Sequence, residues 1–504
     1  MRVTSNTVRA EPDPRRWWIL GVLCLSLLVL VVDNTVLNLA IPALMTDLGA
    51  SPSDIQWIID AYILVFAGLL LTSGSLSDRY GRKRFLIIGL VLFGGASLVA
   101  LLVTEPWQLI AARALMGVGG SILMPSTLSI LITVFDDNER RKAIAAWSAV
   151  AMVGVIAGPT LGGFLLEHYW WGSIFLLNVP ITLVAILAAV LLMPETRGPA
   201  RRLDPVGVLL STVGMSALVF VVISAPGKGW TSPQVLVAAV LAVLALGGFV
   251  LWERRAEQPM LPLQLFRDRN FSGSSFSIVL MSFGTGALLL MLTQYLQFVL
   301  GYGPMQAGLA LLPYAVAAAI FNGVGAGLGQ KVSNRTLVAL GLGVMALGFG
   351  VLAFMTADTG YGVMISGLML MGVGGGLAGP AAYATLMGAV PSEHAGVGSA
   401  LNDTVQQVGM ALSVAVLGSV LAGVYTSSMP VGAPAVARDS IGGAILLGDP
   451  GLIRTARDAF ISAMSFGSWV GVGFTLAAAA LAFAVLRPAP AAPAPEPGLV
   501  ETGS

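Results

Sequence analysis

Charge, cysteine and histidine are scarce in this chain, and each scarcity excludes a class of function. Only 10% of the 504 residues are charged, whereas soluble domains carry about 25%. The net charge of +1 gives no electrostatic support for binding nucleic acid. A single cysteine rules out an intramolecular disulfide and a cysteine metal cluster. With only two histidines as well, we predict no catalytic residue, no metal site and no cofactor.

Long apolar runs fill nearly the whole chain instead. Hydrophobic residues make up 56% of it and the mean hydropathy is +0.88. Since one membrane span needs about 20 apolar residues, the sequence predicts an all-α integral membrane protein with fourteen spans. The predicted spans are 17–45, 55–73, 85–103, 107–134, 143–166, 172–193, 206–225, 234–252, 271–300, 305–329, 336–355, 362–389, 396–425 and 459–486.

Positive charge falls unevenly on the two sides of these spans. Twenty-one of the 26 Lys and Arg residues lie in the N-terminal arm, in every second loop and after the last span. The positive-inside tendency therefore places both termini in the cytoplasm of a multi-pass protein of the cell membrane. Residues 426–457, rich in Gly, Pro and Ala, are predicted to form one long external loop. The Pro- and Ala-rich tail 488–504 is predicted to be disordered.

Residues 74–84 join the second and third predicted spans and contain four basic residues. Turn-forming and charged side chains cannot lie in hydrocarbon, so we expect a short cytoplasmic loop there. Gly81 permits a tight reversal, and Asp78 could accept hydrogen bonds from a helix N-terminus or pair with an arginine. A positive loop that only fixes the topology is the simpler interpretation.

The pattern Gly-x-Leu-x-Asp-Arg-x-Gly-Arg-Lys at 74–83 resembles the signature loop of the major facilitator superfamily. That resemblance implies a latch between the cytoplasmic ends of two halves when a carrier faces outward. The residues it assigns to gating are Gly74, Asp78, Arg79, Gly81, Arg82 and Lys83.

An internal repeat divides the chain. Residues 115–120, Leu-Met-Gly-Val-Gly-Gly, recur at 370–375, and a proline follows five residues later in both copies. We therefore predict two six-helix halves related by an axis along the membrane normal, with a substrate site between them. The predicted units are an arm 1–16, a bundle 17–198, two inserted helices 199–256, a second bundle 257–487 and the tail 488–504.

The fifth predicted span carries Gly154, Gly158, Pro159, Gly162 and Gly163. Glycines four apart allow close helix contact, and a proline bends a helix. Ordinary membrane-helix packing would account for both. The sequence Gly-Pro-x-x-Gly-Gly also resembles the antiporter motif of the superfamily, which implies gating and favours export over uptake.

Four charged residues lie within spans, where charge is costly and commonly functional: Asp33, Asp60, Arg113 and Asp403. The first three could meet in the outer part of the first half. A structural salt bridge to Arg113 is as reasonable as a functional one. Asp403 could be a second proton or cation site, or an acid that packs helices near the interface.

The stretches around Asp33 and Arg113 resemble the first- and fourth-span motifs of the fourteen-helix drug:proton antiporters. This resemblance implies proton coupling at Asp33 and Arg113, with Asp403 as a further candidate. Met116 stands where the fourth-span motif commonly has Gln. An acid at Asp60 is similar to members that export cationic drugs. The substrate-binding candidates are Asp60, Asn38, Tyr62, Gln294, Tyr314, Asn322 and Tyr383.

These resemblances imply a proton-coupled exporter of amphipathic drugs or antibiotics, cationic ones among them. Its partners would be the substrate, protons and membrane lipids, and we expect a monomer. No phosphate-binding glycine loop with a lysine appears, so ATP does not drive transport on this chain. An exporter of a lipid-like or metabolic compound and a proton symporter remain alternatives, and a non-transporting receptor is disfavoured by the repeat. No motif identifies one substrate.

Overall fold

The structure is a computed structural model that describes residues 14–50, 52–198, 204–256, 259, 261, 263–329, 331–356, 359, 361–391 and 395–486. The predicted arm and tail therefore lie almost entirely outside the described residues. Within them the fold is all-helical. The helices are α1 (Arg16–Asp47), α2 (Pro52–Tyr80), α3 (Arg82–Ala100), α4 (Pro106–Val134), α5 (Asp137–His168), α6 (Ser173–Leu176), α7 (Asn178–Leu192), α8 (Pro205–Lys228), α9 (Pro233–Glu253), α10 (Arg269–Gln294), α11 (Pro304–Ala310), α12 (Leu312–Leu328), α13 (Asn334–Ala353), α14 (Tyr361–Gly388), α15 (Ala395–Ser428), α16 (Ala435–Asp439), α17 (Ile441–Leu447) and α18 (Pro450–Val485).

Eleven helical segments of the described chain are long and apolar enough to cross a membrane. Two of them combine a short helix with the next one: α6 with α7, and α11 with α12. Three more helices, α5, α10 and α15, have 32, 26 and 34 residues. At about 1.5 Å per residue, each of these also exceeds the hydrocarbon thickness.

Local sequence fixes where several of these helices begin. Asp204 accepts a hydrogen bond from Gly207 N at 2.9 Å, directly before Pro205 at the start of α8. Asp449 does the same for the first turn of α18 before Pro450. An acidic N-cap followed by proline satisfies free backbone N–H groups and presets the helical φ angle.

The expected loop at 74–84 is wrong in extent. Helix α2 continues to Tyr80 and α3 begins at Arg82, so Gly81 alone reverses the chain, with φ of +118°. A non-glycine residue would be strained in this conformation. The charged residues extend the helices beyond the apolar spans because their side chains find partners there, as described below.

The long external loop expected at 426–457 is also wrong. Helix α15 continues to Ser428, two short helices follow, and α18 begins at Pro450. Tyr425 donates its hydroxyl to the Ala437 carbonyl at 2.8 Å. Such contacts let a Gly- and Ala-rich segment fold against the helix ends, which composition alone does not indicate.

The two halves repeat the same helix pairs. In the first, α1 packs on α5 and α7, α2 on α4, and α3 on α4 and α7. In the second, α10 packs on α15 and α18, α12 on α14, and α13 on α14 and α18. The halves meet through α2 with α15 and through α5 with α12, which are equivalent pairs under the repeat.

The repeated hexapeptide makes equivalent contacts in both halves. A Cβ on Gly117 would lie 2.7 Å from the Tyr62 carbonyl oxygen of α2, and one on Gly372 would overlap the Tyr314 carbonyl oxygen of α12. Glycine at these positions therefore lets two helix backbones approach directly.

The inserted helices α8 and α9 form a hairpin. Helix α8 packs against both α2 and α15, and so borders the junction between the halves. A Cβ on Gly68 of α2 would overlap the Ser216 hydroxyl of α8. Helix α9, by contrast, exposes most of its apolar surface.

Gly372 and Gly375 of the repeated hexapeptide allow a matched test of the contact between α14 and α12. We expect Gly372→Ala to destabilise the protein by about 1–3 kcal/mol, because backbone atoms must move to admit the methyl group. Gly375→Ala is the control, since nothing lies within 4 Å of a Cβ there. Thermal unfolding of the purified variants in detergent measures both. Equal stability of the two variants would contradict the close contact of α14 with α12.

Candidate functional site

A buried ion pair lies inside the first half. Arg113 Nη1 of α4 donates to Asp33 Oδ2 of α1, and both side chains are at most 2% exposed. Two opposite charges taken out of water need each other and further hydrogen bonds to offset their desolvation. The structure thus brings together two of the three residues that we predicted to couple protons.

The Arg113 guanidinium has two further neighbours on α2. Its Nε donates to the Ile58 carbonyl at 3.3 Å, and the group lies 4.4 Å from the centre of the Tyr62 ring. Asn34 Nδ2 donates to the Tyr62 hydroxyl at 3.2 Å. Tyr62, predicted as a substrate-binding residue, is therefore buried beside the ion pair.

Asn178 completes this cluster, and sequence reasoning missed it. Its Nδ2 donates to Asp33 Oδ1 at 2.8 Å and lies 3.2 Å from Ser97 Oγ. Both residues are fully buried, on α7 and α3. An asparagine at the start of an apolar helix was the available signal, but nothing in its spacing connects it to α1.

Asp60 and Asn38 are the other two substrate-binding candidates in the first half. Asp60 is half-buried on α2, two residues before Tyr62. The side chain of Asn38 lies outside the described residues.

The second half holds a different polar cluster on α15. Asp403 is 1% exposed, and its Oδ1 accepts a hydrogen bond from Asn402 Nδ2 at 3.1 Å. One turn further, Gln406 Oε1 accepts from the Tyr383 hydroxyl of α14 at 3.2 Å. No ion pair in the described part of the chain involves Asp403.

The remaining substrate-binding candidates lie on α10 and α12. Tyr314 and Asn322 are buried, and Asn322 Nδ2 donates to the Ala318 carbonyl of its own helix at 2.8 Å. Gln294 is half-buried at the end of α10, where a π-helical turn, Tyr295–Val299, begins. The structure thus distributes the candidates of the second half over α10, α12 and α14, with Asn322 and Tyr383 both beside Gly379.

Asp78 connects the two halves. Its Oδ1 accepts from Arg82 Nε at 2.8 Å, four residues on. Its Oδ2 accepts from the backbone N–H of Val397 at 3.3 Å, in the first turn of α15. A carboxylate is favoured at a helix N-terminus, where free N–H groups carry partial positive charge. Gly74 is buried inside α2.

Lys83, in the first turn of α3, contacts the C-terminal end of α7 and the residues that follow it. Lys83 Nζ donates to the carbonyls of Val190 and Met193, the last of them at 2.7 Å, and its backbone N–H donates to Glu195 Oε1 at 3.1 Å. A lysine at a helix C-terminus satisfies free carbonyl groups. Arg79 places its guanidinium 5.1 Å from the centre of the Tyr80 ring.

Three glycines of α5 face α1. A Cβ on Gly154 would lie 3.0 Å from Val31, one on Gly158 would overlap the Thr35 hydroxyl, and one on Gly162 would lie 2.6 Å from Val36. Gly163 faces the other half, 3.5 Å from Met305 of α11 by the same measure. Pro159 lies within α5, and its side chain is outside the described residues.

No metal site is found in the part of the chain that the structure describes, where no group of three or more His, Cys, Asp or Glu residues could hold an ion. The chemistry that the first cluster supports is reversible charge neutralisation. It has one carboxylate, one arginine and neutral hydrogen-bond partners, and no nucleophile is paired with a base.

Comparisons with known proteins agree with this architecture. The human organic anion transporter MFSD10 has a similar fold, with a TM-score of 0.59 and 15% sequence identity, over 92% of this chain and 100% of that one. At that identity the likeness concerns the fold alone.

Curated relatives are more similar in sequence. The multidrug efflux pump LfrA of Mycolicibacterium smegmatis is 34% identical, over 96% of this chain and 98% of LfrA. The puromycin resistance protein pur8 of Streptomyces alboniger is 38% identical, over 82% and 83% of the two chains. The cephamycin export protein CmcT of Amycolatopsis lactamdurans is 36% identical, over 85% and 90%.

A family model described as Major Facilitator Superfamily matches residues 23–414. This match covers both copies of the repeated hexapeptide, the ion pair and the turn at Gly81, and it ends within α15. The chain therefore belongs to the major facilitator superfamily, and it is a multi-pass membrane transporter rather than an enzyme.

Proposed function

We propose that the protein exports amphipathic drugs or antibiotics, cationic ones among them, in exchange for protons by alternating access. The observation that carries the proposal is the buried ion pair of Asp33 with Arg113, in a chain whose relatives are named as efflux pumps and as resistance and export proteins. An ionisable pair inside a membrane bundle is a natural proton site.

We further propose fourteen membrane spans with both termini in the cytoplasm. Helices α5, α10 and α15, added to the eleven apolar segments, supply this number. The distribution of Lys and Arg supports the orientation. On this topology Gly81 is cytoplasmic, and the inserted hairpin turns at Gly229 on the outside.

Asp78 supports a cytoplasmic latch. Its carboxylate joins α2 of the first half to the N-terminus of α15 of the second, and Arg82 holds it in place. When the halves separate at the cytoplasmic face, this contact must break. The latch would then stabilise the state in which that face is closed.

We expect Asp78→Asn to slow export by about tenfold to a hundredfold, because a hydrogen bond to a charged group contributes about 1.5–3 kcal/mol. The measurement is transport rate in proteoliposomes at equal protein amount. Asp204→Asn is the control. It makes the same chemical change on the proposed cytoplasmic side, but Asp204 caps α8 and does not connect the two halves. Equal rates for both variants would exclude the latch.

The contacts of Asp33 support a role in proton coupling. Protonation removes the carboxylate charge that Arg113 requires, while the Ile58 carbonyl and the Tyr62 ring still hold the guanidinium. In the proposed cycle a proton from outside neutralises Asp33, and the inward-facing carrier releases it to the cytoplasm. Substrate and proton must then change each other's affinity by the same factor.

We expect Asp33→Asn to abolish proton-driven export while neutral substrates still bind. The measurement is substrate-induced proton release from detergent-solubilised protein. Asp458→Asn, an exposed acid near the start of α18, is the control and should release protons as the wild type does. If Asp33→Asn also released them normally, another group would carry the proton, and Asp403 would be the next to test.

The inserted hairpin should line no substrate path. Helix α9 is largely exposed, and α8 packs closely on α2 at Gly68, where a Cβ would overlap the Ser216 hydroxyl. We expect cysteines placed along α8 and α9 to react with a membrane-permeant thiol reagent equally with and without substrate, whereas cysteines along α1 are protected. Strong protection on α8 or α9 would refute this role.

Export of one metabolic compound is the second candidate, and the name of the relative CmcT, a cephamycin export protein, favours it. Susceptibility of a pump-deleted host to a panel of dyes and antibiotics separates the two candidates. Resistance to several unrelated compounds supports drug export, and resistance to one supports the narrower function.

A further inference from the structure

The N-terminal part of helix α15 contains three buried oxygen atoms without hydrogen-bond partners among the described residues: Ser399 Oγ, Asn402 Oδ1 and Asp403 Oδ2. All three side chains are at most 1% exposed. A buried polar atom without a partner costs about 1–3 kcal/mol, and more when it is charged. Three such atoms so close in sequence require an explanation.

These residues share one face of the helix. Ser399 precedes Asn402 by three positions and Asp403 by four, which is the spacing of neighbours on a helix surface. The hydrogen bond from Asn402 Nδ2 to Asp403 Oδ1, at 3.1 Å, ties the amide to the carboxylate. One turn further, Gln406 Oε1 and the Tyr383 hydroxyl bond each other at 3.2 Å and close this end of the cluster.

Asp403 differs from two other buried acids, Asp33 and Asp78, because no arginine pairs with it among the described residues. Asp33 pairs with Arg113, and Asp78 pairs with Arg82. The ion pairs of the described chain include no partner for Asp403. An unpaired carboxylate inside a membrane bundle is expensive, so it must either bind a proton or be accompanied by a cation. The two neutral oxygens without partners beside it favour the cation, because a proton on Asp403 would leave at least one of them without a partner.

The donor set identifies that cation. A carboxylate, an amide carbonyl and a hydroxyl are hard oxygen ligands, which suit alkali and alkaline-earth ions and not zinc or copper. One carboxylate balances a single positive charge. We propose that Ser399, Asn402 and Asp403 form a binding site for a monovalent alkali cation, with sodium as the ion to test. This site is in the half opposite to Asp33 and does not depend on proton coupling there.

Binding of radioactive sodium to the purified full-length transporter tests the proposal. We expect saturable binding of one ion per chain at mildly alkaline pH, with choline chloride holding the ionic strength constant. Asp403→Asn should abolish it, and Ser399→Ala should weaken it at least severalfold. Ser419→Ala is the matched control, because Ser419 Oγ is another buried hydroxyl without a partner on α15, four turns away. It should bind sodium as the wild type does.

A second measurement protects the test against misfolded variants. Sodium should raise the thermal unfolding temperature of the wild type and of Ser419→Ala, since a ligand that binds only the folded state stabilises it. The unfolding temperature of Ser399→Ala should rise less. Absence of saturable sodium binding to the wild type would overturn the proposal, with Asp403 left as a proton site or solvated by buried water. Normal sodium binding to Asp403→Asn would overturn it too. Neither result bears on proton release from Asp33.

Discussion

An arginine buried in a membrane bundle is the constraint on which the first half depends. Arg113 is 1% exposed on α4, and its charge can be held there only if α1 supplies Asp33, α2 supplies the Ile58 carbonyl and the Tyr62 ring, and α7 supplies Asn178 to the same carboxylate. Four helices are thereby set in register around one charge pair. Because breaking such a pair leaves a bare charge in a poor dielectric, its state and the packing of these helices are coupled.

Glycine residues are the second feature that holds the helices together, because without a side chain they let two helix backbones pack directly against each other. Positions 117 and 119 on α4 and 372 and 374 on α14 contact equivalent neighbours in the two halves. The helices within each half are therefore closely packed. The contacts between the halves include α2 and α4 with α15, α5 with α11, α12 and α14, and the hydrogen bond from the first turn of α15 to the carboxylate of Asp78. A carrier that alternates needs this contrast between rigid units and a junction that can open.

The repeat does not extend to the polar residues. The first half places its acid on α1 and balances it with an arginine, whereas the second places its acid on α15 beside neutral oxygens. Equivalent backbones therefore carry two different electrostatic environments. The proposed division between a proton in one half and an alkali cation in the other rests on that asymmetry.

The sequence by itself determined the membrane class, the helical fold, the two-half repeat and the family, because apolar length, hexapeptide identity and motif spacing are properties of the chain alone. It also nominated Asp33, Arg113 and Asp78. The tertiary structure decided what these residues contact. Asn178 and Ser97 contact the ion pair or each other from helices distant in sequence. The residues around Gly81 are helical because Lys83 donates hydrogen bonds to carbonyl groups at the end of α7. The helices of segment 426–457 formed against neighbouring helix ends. Contacts between distant segments produce no periodic pattern in a single sequence. Only the tertiary structure therefore shows them.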